Sequence, residues 1–294
     1  MYKIGISTCG NKPIDLKEFQ AMKSVGIDAV EICKDYYRDV DFKKVKADAD
    51  SAGIELYSIH SHRHPSFDIS STDAESNQRA LKEFFWLIDK ISEIGIDKIV
   101  LHPTHTPEPF DQRQRGEKIN HAMECLDTLA EYAYKKGVWI AVENLPRTCL
   151  ANTAEEHLHI LSANDKLRAC VDLNHCLIDD TADMIKKLGS KIITVHVSDR
   201  DNINERHWLP GEGVLDWKGI IDTFNSIGYG GAWIYEIGFN ASSTIARRPL
   251  TYSDFVINAK QIFAKEKITV ITTNESRNPN DFDGKPLICK QISQ

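Results

Sequence analysis

The sequence predicts an α/β fold, namely a single (β/α)8 barrel followed by a short C-terminal extension. Eight short β-rich runs alternate with longer helical patterns along the 294 residues. These units occupy about 265 residues, close to the ~250 residues typical of such a barrel. A doubly wound sheet alternates in the same way, but residues 7–11 lack its glycine-rich dinucleotide fingerprint. Polar residues also recur at the ends of many strands and not at one switch point, which favours the barrel.

The individual elements follow from local composition and periodicity. The predicted strands are residues 3–8, 29–33, 56–60, 98–102, 139–143, 169–172, 192–197 and 233–236. Residues 72–94 form a predicted helix because apolar residues recur with a period near 3.6, at Leu81, Phe84, Phe85, Leu87, Ile88 and Ile91. Residues 111–136 show a similar pattern that stops at Gly137. Thr153 and Glu156 have the spacing of a capping box at the start of a further helix.

The character of the chain changes after the eighth unit. We therefore expect a catalytic barrel over residues 1–265 and a C-terminal extension over residues 266–294. Residues 268–272 have the composition of an extra strand. Residues 274–285 are polar and rich in Asn, Asp, Pro and Gly, which predicts an irregular tail or a subunit-contact arm.

Composition limits the class of protein. Hydrophobic residues make up 41% of the chain and charged residues 27%, so a buried core is feasible. A net charge of −7 disfavours binding of nucleic acid through bulk electrostatics. We see no signal peptide and no apolar run near the ~20 residues that span a membrane. Seven cysteines without a CxxC pair indicate free thiols, so we expect a cytoplasmic protein without a membrane partner.

Ionisable residues at the predicted strand ends indicate a metal site. Glu143, Asp172 and Glu236 end apolar strands, and His196 lies near the end of the seventh. A carboxylate directly after a buried strand is costly unless a cation or strong donors compensate it. Because a barrel gathers its strand ends into one ring, these four residues can converge on one ion. Three carboxylates and one imidazole suit a divalent Mn, Zn, Co or Mg ion.

The histidines are concentrated at the same predicted end of the barrel. Three of the eleven, His121, His157 and His159, fall inside helical patterns, where we expect them to pack or to face solvent. The other eight lie at or just beyond predicted strand ends: His60, His62, His64, His102, His105, His175, His196 and His207.

Four ordered motifs give a resemblance to a known family. They are Val-Glu-Asn-Leu-Pro-Arg at 142–147, Asp-Leu-Asn-His at 172–175, His-Val-Ser-Asp at 196–199, and Pro-Gly-Glu-Gly at 210–213, followed by Glu236. This set resembles the xylose isomerase-like TIM-barrel superfamily, which contains sugar (phosphate) isomerases and epimerases, inosose-pathway enzymes and endonuclease IV. The resemblance runs in register from about residue 3 to residue 265.

The D-tagatose 3-epimerase branch of that superfamily implies specific roles. There the matching residues bind one divalent metal, here Glu143, Asp172, His196 and Glu236, and the two glutamates act as the acid/base pair. The substrate-binding residues implied or suggested are His60, His102, His175, Arg147 and Arg206. The resemblance therefore predicts a divalent-metal-dependent isomerase or epimerase of a sugar or sugar phosphate. Such an enzyme removes a proton next to a metal-bound carbonyl.

Three alternatives stay open. The first is a lyase of the keto-inositol dehydratase type, which shares the enolisation step. The second is a zinc phosphodiesterase resembling endonuclease IV, in which additional metal ions would use His60, His102, His175, Glu205 and His207. Glu205 stands where that branch has Asp. The net negative charge of the chain also disfavours DNA binding. The third is a non-catalytic carbohydrate-binding barrel. Proteins of this type often pair, so a homo-oligomer is compatible with the resemblance.

Overall fold

The computed structural model describes residues 2–9, 12–61, 65–105, 111–240 and 244–272. Eight parallel strands form one closed barrel in sequence order, because the first strand pairs with both the second and the eighth. The strands are β1 (Ile4–Ser7), β2 (Ala29–Ile32), β3 (Glu55–His60), β4 (Lys98–Leu101), β5 (Trp139–Glu143), β6 (Arg168–Asp172), β7 (Ile192–Val197) and β8 (Trp233–Tyr235). The predicted barrel and its eight strands are confirmed.

Eight helices surround the barrel. They are α1 (Leu16–Val25), α2 (Phe42–Ala52), α3 (Ala74–Glu93), α4 (Arg115–Lys135), α5 (Ala154–Leu161), α6 (Thr181–Leu188), α7 (Trp217–Ser226) and α8 (Tyr252–Phe263). The two long helices predicted from periodicity are therefore confirmed, with α4 preceded by a short 3-10 turn. In the described part of the chain, no helix has the length and apolar character needed to cross a bilayer.

The predicted capping box at α5 is half correct. The Thr153 hydroxyl accepts a hydrogen bond from the Glu156 amide at 3.2 Å, as an N-cap should. The Glu156 carboxylate instead accepts from the Ala151 amide at 2.7 Å and pairs with Arg115. The glutamate thus ties α5 to α4 and not to its own cap. A reciprocal capping box is found at the start of α8, between Thr251 and Asp254.

The inside of the barrel changes from apolar to ionisable along the strands. Small and apolar side chains from five strands form its lower part: Ala29, Val100, Ala141, Cys170 and Ile234. Side chains two positions apart on a strand point to the same face. The next inward positions toward the C-terminal end are therefore Glu31, His102, Glu143, Asp172 and Glu236. Alternation by two thus places five ionisable groups directly above the apolar plug.

The extra strand predicted over residues 268–272 is not present, so that prediction is wrong. Among the described residues, the segment has no regular secondary structure and pairs with no strand of the barrel. The Thr269 amide donates to the side chain of Gln261 in α8, the Gln261 amide group donates to the Thr269 hydroxyl, and the Thr272 hydroxyl donates to Glu212. The predicted tail over 274–285 lies outside the described residues. The domain boundary at residue 265 stays a prediction.

Candidate active site

Four ligand-type side chains from consecutive strands meet at the C-terminal end of the barrel. Glu143 and Asp172 end β5 and β6, His196 lies near the end of β7, and Glu236 directly follows β8. One ligand atom from each lies within 4.8 Å of the other three, and all four residues are buried. His196 Nδ1 is 3.3 Å from Glu143 Oε1 and 3.2 Å from Glu236 Oε2. We call these four residues the quartet, and their role as metal ligands stays a prediction.

Two further histidines approach the other oxygen of Glu143. His60 Nε2 is 3.2 Å and His102 Nε2 is 3.0 Å from Glu143 Oε2. The opposite nitrogen of His60, Nδ1, lies 2.9 Å from the carbonyl oxygen of Ser61. One ligand atom from each of His60, His102 and Glu143 also falls within 4.8 Å of the others. Glu143 therefore belongs both to the quartet and to a second group of ligand-type side chains, formed with His60 and His102.

A third group extends from Asp172 toward the β7–α7 loop. It consists of Asp172, His175 and His207, whose ligand atoms again lie within 4.8 Å of one another. His175 Nδ1 is 3.3 Å from Asp172 Oδ2, and His175 Nε2 is 3.0 Å from Glu205 Oε2. His207 Nδ1 is 3.0 Å from the carbonyl oxygen of Glu236. The sequence-predicted histidines at 60, 102, 175, 196 and 207 are thus brought together at one site.

Both predicted substrate-binding arginines are buried and engaged in internal ion pairs. Arg147 Nη1 is 2.7 Å from Glu205 Oε1, and the residue is 2% exposed with φ of 56°. Arg206 Nε is 2.8 Å from Asp201 Oδ2. Arg147 therefore neutralises the carboxylate that contacts His175. Binding of substrate by either arginine stays a prediction, and it requires these ion pairs to open or to be shared.

Glu31 is a site residue that the sequence reasoning missed. It lies in β2 with no exposed surface and is 3.0 Å from His196 Nε2 through Oε1. The Ser58 hydroxyl of β3 donates to its other oxygen at 2.8 Å. A carboxylate in the middle of an otherwise apolar run was the available signal, since such a position is costly without compensation.

The loop between β7 and α7 is held by Asp199. Its carboxylate accepts hydrogen bonds from the amides of Arg200, Gly211, Val214 and Leu215 and from the Trp217 indole. A Cβ atom at Gly213 would lie 2.2 Å from Asp199 Oδ1. The Asp of the His-x-x-Asp motif and the Pro-Gly-Glu-Gly turn therefore shape the loop that carries Glu205 and His207. Trp217 is buried at the start of α7.

Other predicted residues either pack in the protein interior or lie outside the described part of the chain. His62 and His64 lie outside the described residues. His157 is buried, and its Nε2 donates to the carbonyl oxygen of Val142 at 3.0 Å, which confirms the packing role. Burial raises the pKa of the Cys176 thiol to about 12, so this cysteine is a packing residue and not an activated nucleophile.

Burial and the neighbouring imidazoles shift the pKa values of the quartet carboxylates in opposite directions. Burial alone would raise the pKa of Glu143, but His196 and His102 hold it well below its usual range. The pKa of Glu236 is likewise lowered, because His196 outweighs the effect of burial. Burial raises the pKa of Asp172 to about 6, against the charges of His175 and His207. The two glutamates are therefore held in the ionised form, while Asp172 titrates closest to neutrality.

The hydrogen-bonding demands of the histidines fit a bound cation. Both ring nitrogens of His60, His175 and His196 face oxygen atoms. A neutral imidazole carries one N–H only, so each ring needs a second proton or a cation between nitrogen and oxygen. Within the described residues, Asp172 Oδ2 is buried and accepts no hydrogen bond. A divalent ion held by the quartet would satisfy His196 Nδ1 and Asp172 Oδ2 together, and the donor set of carboxylate and imidazole suits it.

Comparison with known proteins places the chain in a family. A family model described as xylose isomerase-like TIM barrel matches residues 19–251. Uncharacterized protein MJ1311 of Methanocaldococcus jannaschii is 26% identical over 189 residues, 62% of this chain and 64% of that protein, so the match spans less than two thirds of this relative. Fructoselysine 3-epimerase of Shigella flexneri is 22% identical over 255 residues, 80% of this chain and 90% of that enzyme. A solved D-tagatose 3-epimerase-like protein has a TM-score of 0.70 at 23% identity, covering 79% of this chain and 89% of that one. The chain belongs to the xylose isomerase-like TIM-barrel family.

Proposed function

We propose that the protein is a divalent-metal-dependent isomerase or epimerase acting on a sugar or sugar phosphate. The observation that carries the proposal is the quartet: one imidazole and three buried carboxylates from consecutive strands, with ligand atoms within 4.8 Å of one another. Three carboxylates without a cation would repel one another in a low-dielectric interior. The similarity to proteins named as 3-epimerases of fructoselysine and of ketoses supports the same class of reaction.

The residues of the quartet would hold the ion, and its chemistry would be that of a Lewis acid, which makes the C–H next to a substrate carbonyl more acidic. Glu143 and Glu236 are each within 3.3 Å of the same nitrogen of His196, so they flank one small volume. Both are held ionised and can accept a proton. One glutamate would remove the carbon-bound proton, and the other, after taking up a proton from solvent, would deliver that proton to the opposite face, which inverts the carbon.

The histidines around Glu143 would orient this base. His60 and His102 both contact Oε2, which leaves Oε1 directed toward His196 and His175. Because burial lowers the pKa of His102, that ring is neutral near pH 7 and donates one hydrogen bond. His60 and Glu236 are only 1% and 4% exposed, and such burial would limit the access of bulk water to the reacting carbon.

Exchange with solvent tests the reaction directly. We would incubate the Mn²⁺- or Co²⁺-loaded protein with D-tagatose, D-psicose, L-ribulose and D-fructose in D₂O. The expected result is deuterium at carbon 3, detected by NMR. Glu143→Gln and Glu236→Gln should abolish exchange while keeping the melting temperature close to that of the parent. Glu83→Gln is the matched control, because Glu83 is a buried carboxylate paired with Arg38 away from the quartet.

The outcomes separate the alternatives. Retained exchange in either quartet variant would refute the acid/base assignment. A product lighter by one water would assign the lyase reaction, which shares proton removal and then expels a hydroxyl. Sugar binding without deuterium uptake in any ketose, with or without phosphate, would favour the non-catalytic barrel.

A zinc phosphodiesterase is the second candidate, and one observation favours it. Besides the quartet, the structure brings together His60, His102 and Glu143 in one group and Asp172, His175 and His207 in another. Three such groups in a row could hold three ions. Elemental analysis of protein purified without chelator decides the point. About one ion per chain supports the epimerase, while three zinc ions and cleavage of abasic DNA would support the phosphodiesterase.

A further inference from the structure

The carboxylate of Glu31 is a buried group that contacts His196 of the quartet. Glu31 has no exposed surface, and its recorded partners among the described residues are the Ser58 hydroxyl and the imidazole of His196. Neither partner is a lysine or an arginine. A buried carboxylate with a single hydroxyl donor is costly, so the imidazole must supply the remaining stabilisation.

The two nitrogens of His196 face different carboxylates. Nε2 lies 3.0 Å and 3.2 Å from the two oxygens of Glu31, while Nδ1 faces Glu143 and Glu236 of the quartet. If Nε2 carries the proton and donates it to Glu31, the lone pair of Nδ1 points into the quartet. A histidine ligates a metal through the nitrogen whose opposite N–H is fixed by an acceptor.

Other histidines at the site have weaker acceptors on the opposite nitrogen. His60 Nδ1 lies 2.9 Å from a backbone carbonyl, and His207 Nδ1 lies 3.0 Å from another. Glu205, the carboxylate that contacts His175, is itself neutralised by Arg147 at 2.7 Å. Glu31 therefore differs from these partners, because within the part of the chain that the structure describes no arginine or lysine pairs with the carboxylate that it offers to His196.

We propose that Glu31 is a positioning residue of the metal centre, which fixes the ring of His196 with Nε2–H toward β2 and Nδ1 toward the metal. The inference rests on the proposed metal-dependent function. Its charge also makes Nδ1 a stronger donor to the ion, since a carboxylate partner raises the basicity of a ligating imidazole.

Binding of Co²⁺ to metal-free protein tests this without any substrate. We would titrate Co²⁺ calorimetrically into chelator-treated parent, Glu31→Gln, Glu31→Ala, Glu83→Gln and Glu143→Gln, and record the ligand-field spectrum of each complex. Loss of a partner of this kind costs about 10- to 100-fold in metal affinity. We expect Glu31→Ala to show such a loss with an altered spectrum. Glu31→Gln keeps an acceptor of the same shape without the charge, so its affinity should be intermediate.

The control variants distinguish positioning from general damage. Glu83→Gln removes a buried carboxylate outside the site and should bind Co²⁺ like the parent. The melting temperature of each metal-free variant reports folding, and Glu31→Gln decides the question if Glu31→Ala does not fold. An equal loss in Glu83→Gln would overturn the inference. The inference would also be overturned if both Glu31 variants bound Co²⁺ with the affinity of the parent while Glu143→Gln failed to bind it. That result would still support the proposed metal site. A parent protein that takes up no Co²⁺ would refute the proposed function and this inference together.

Discussion

Replacement of His157 by glutamine should reduce the amount of unfolding free energy that the protein loses on acidification. His157 is fully buried in α5, where Nε2 donates to the carbonyl oxygen of Val142. Its Nδ1 is buried and has no hydrogen-bond partner among the described residues. Protonation would therefore place a charged N–H where nothing accepts it. Burial accordingly lowers the pKa of His157 from 6.5 to about 4.

The sign and the size of the effect follow from linkage. Between pH 6.5 and pH 4 the unfolded chain takes up a proton at this position while the folded protein does not, so acidification favours unfolding. The contribution is complete above pH 6.5 and is lost as the pH falls toward the folded pKa of about 4. At about 1.4 kcal/mol per pH unit, the whole window corresponds to about 3 kcal/mol of unfolding free energy.

Urea denaturation of metal-free protein at several pH values measures the effect. His157→Gln keeps a donor for Val142 but does not titrate, so between pH 7 and pH 4 it should lose about 3 kcal/mol less than the parent. His159→Gln is the matched control, because His159 lies two residues away on the exposed face of the same helix. It should follow the parent at every pH. Parallel curves for the parent and His157→Gln would refute the reasoning.

Three further predictions concern packing around the site. Gly213→Ala should lower stability by about 1–3 kcal/mol, because its Cβ would lie 2.2 Å from Asp199, whereas Gly230→Ala meets no atom within 4 Å and should be neutral by thermal melting. Thr272→Val removes a hydroxyl that donates to a buried carboxylate, so urea denaturation should show a loss of about 1.5–3 kcal/mol, and an unchanged midpoint would contradict the contact. With its pKa raised to about 12 by burial, Cys176 should resist iodoacetamide at neutral pH until urea is added, and labelling of the folded protein, detected by mass spectrometry, would contradict its packing role.

Much of the barrel could be predicted because its signals are local. Each strand is a short apolar run, and alternation by two decides which of its residues face inward. Glu143, Asp172 and Glu236 could therefore be placed at one end of the barrel from their positions at strand ends alone. The failure at 268–272 has the same origin, since β-forming residues predict a strand only where a neighbouring edge is free, and a closed barrel offers none.

The sequence by itself determined which strand ends carry ionisable groups, because that depends on neighbouring residues and the period of the strand. Only the tertiary structure decided how those groups pair. His196 and Glu31 are 165 positions apart, and Arg147 reaches Asn204 across 57 positions. The closure of β8 on β1 and the path of the β7–α7 loop bring such pairs together. Contacts of this kind depend on strand order, stagger and loop conformation, which act over the whole barrel and leave no local pattern along the chain.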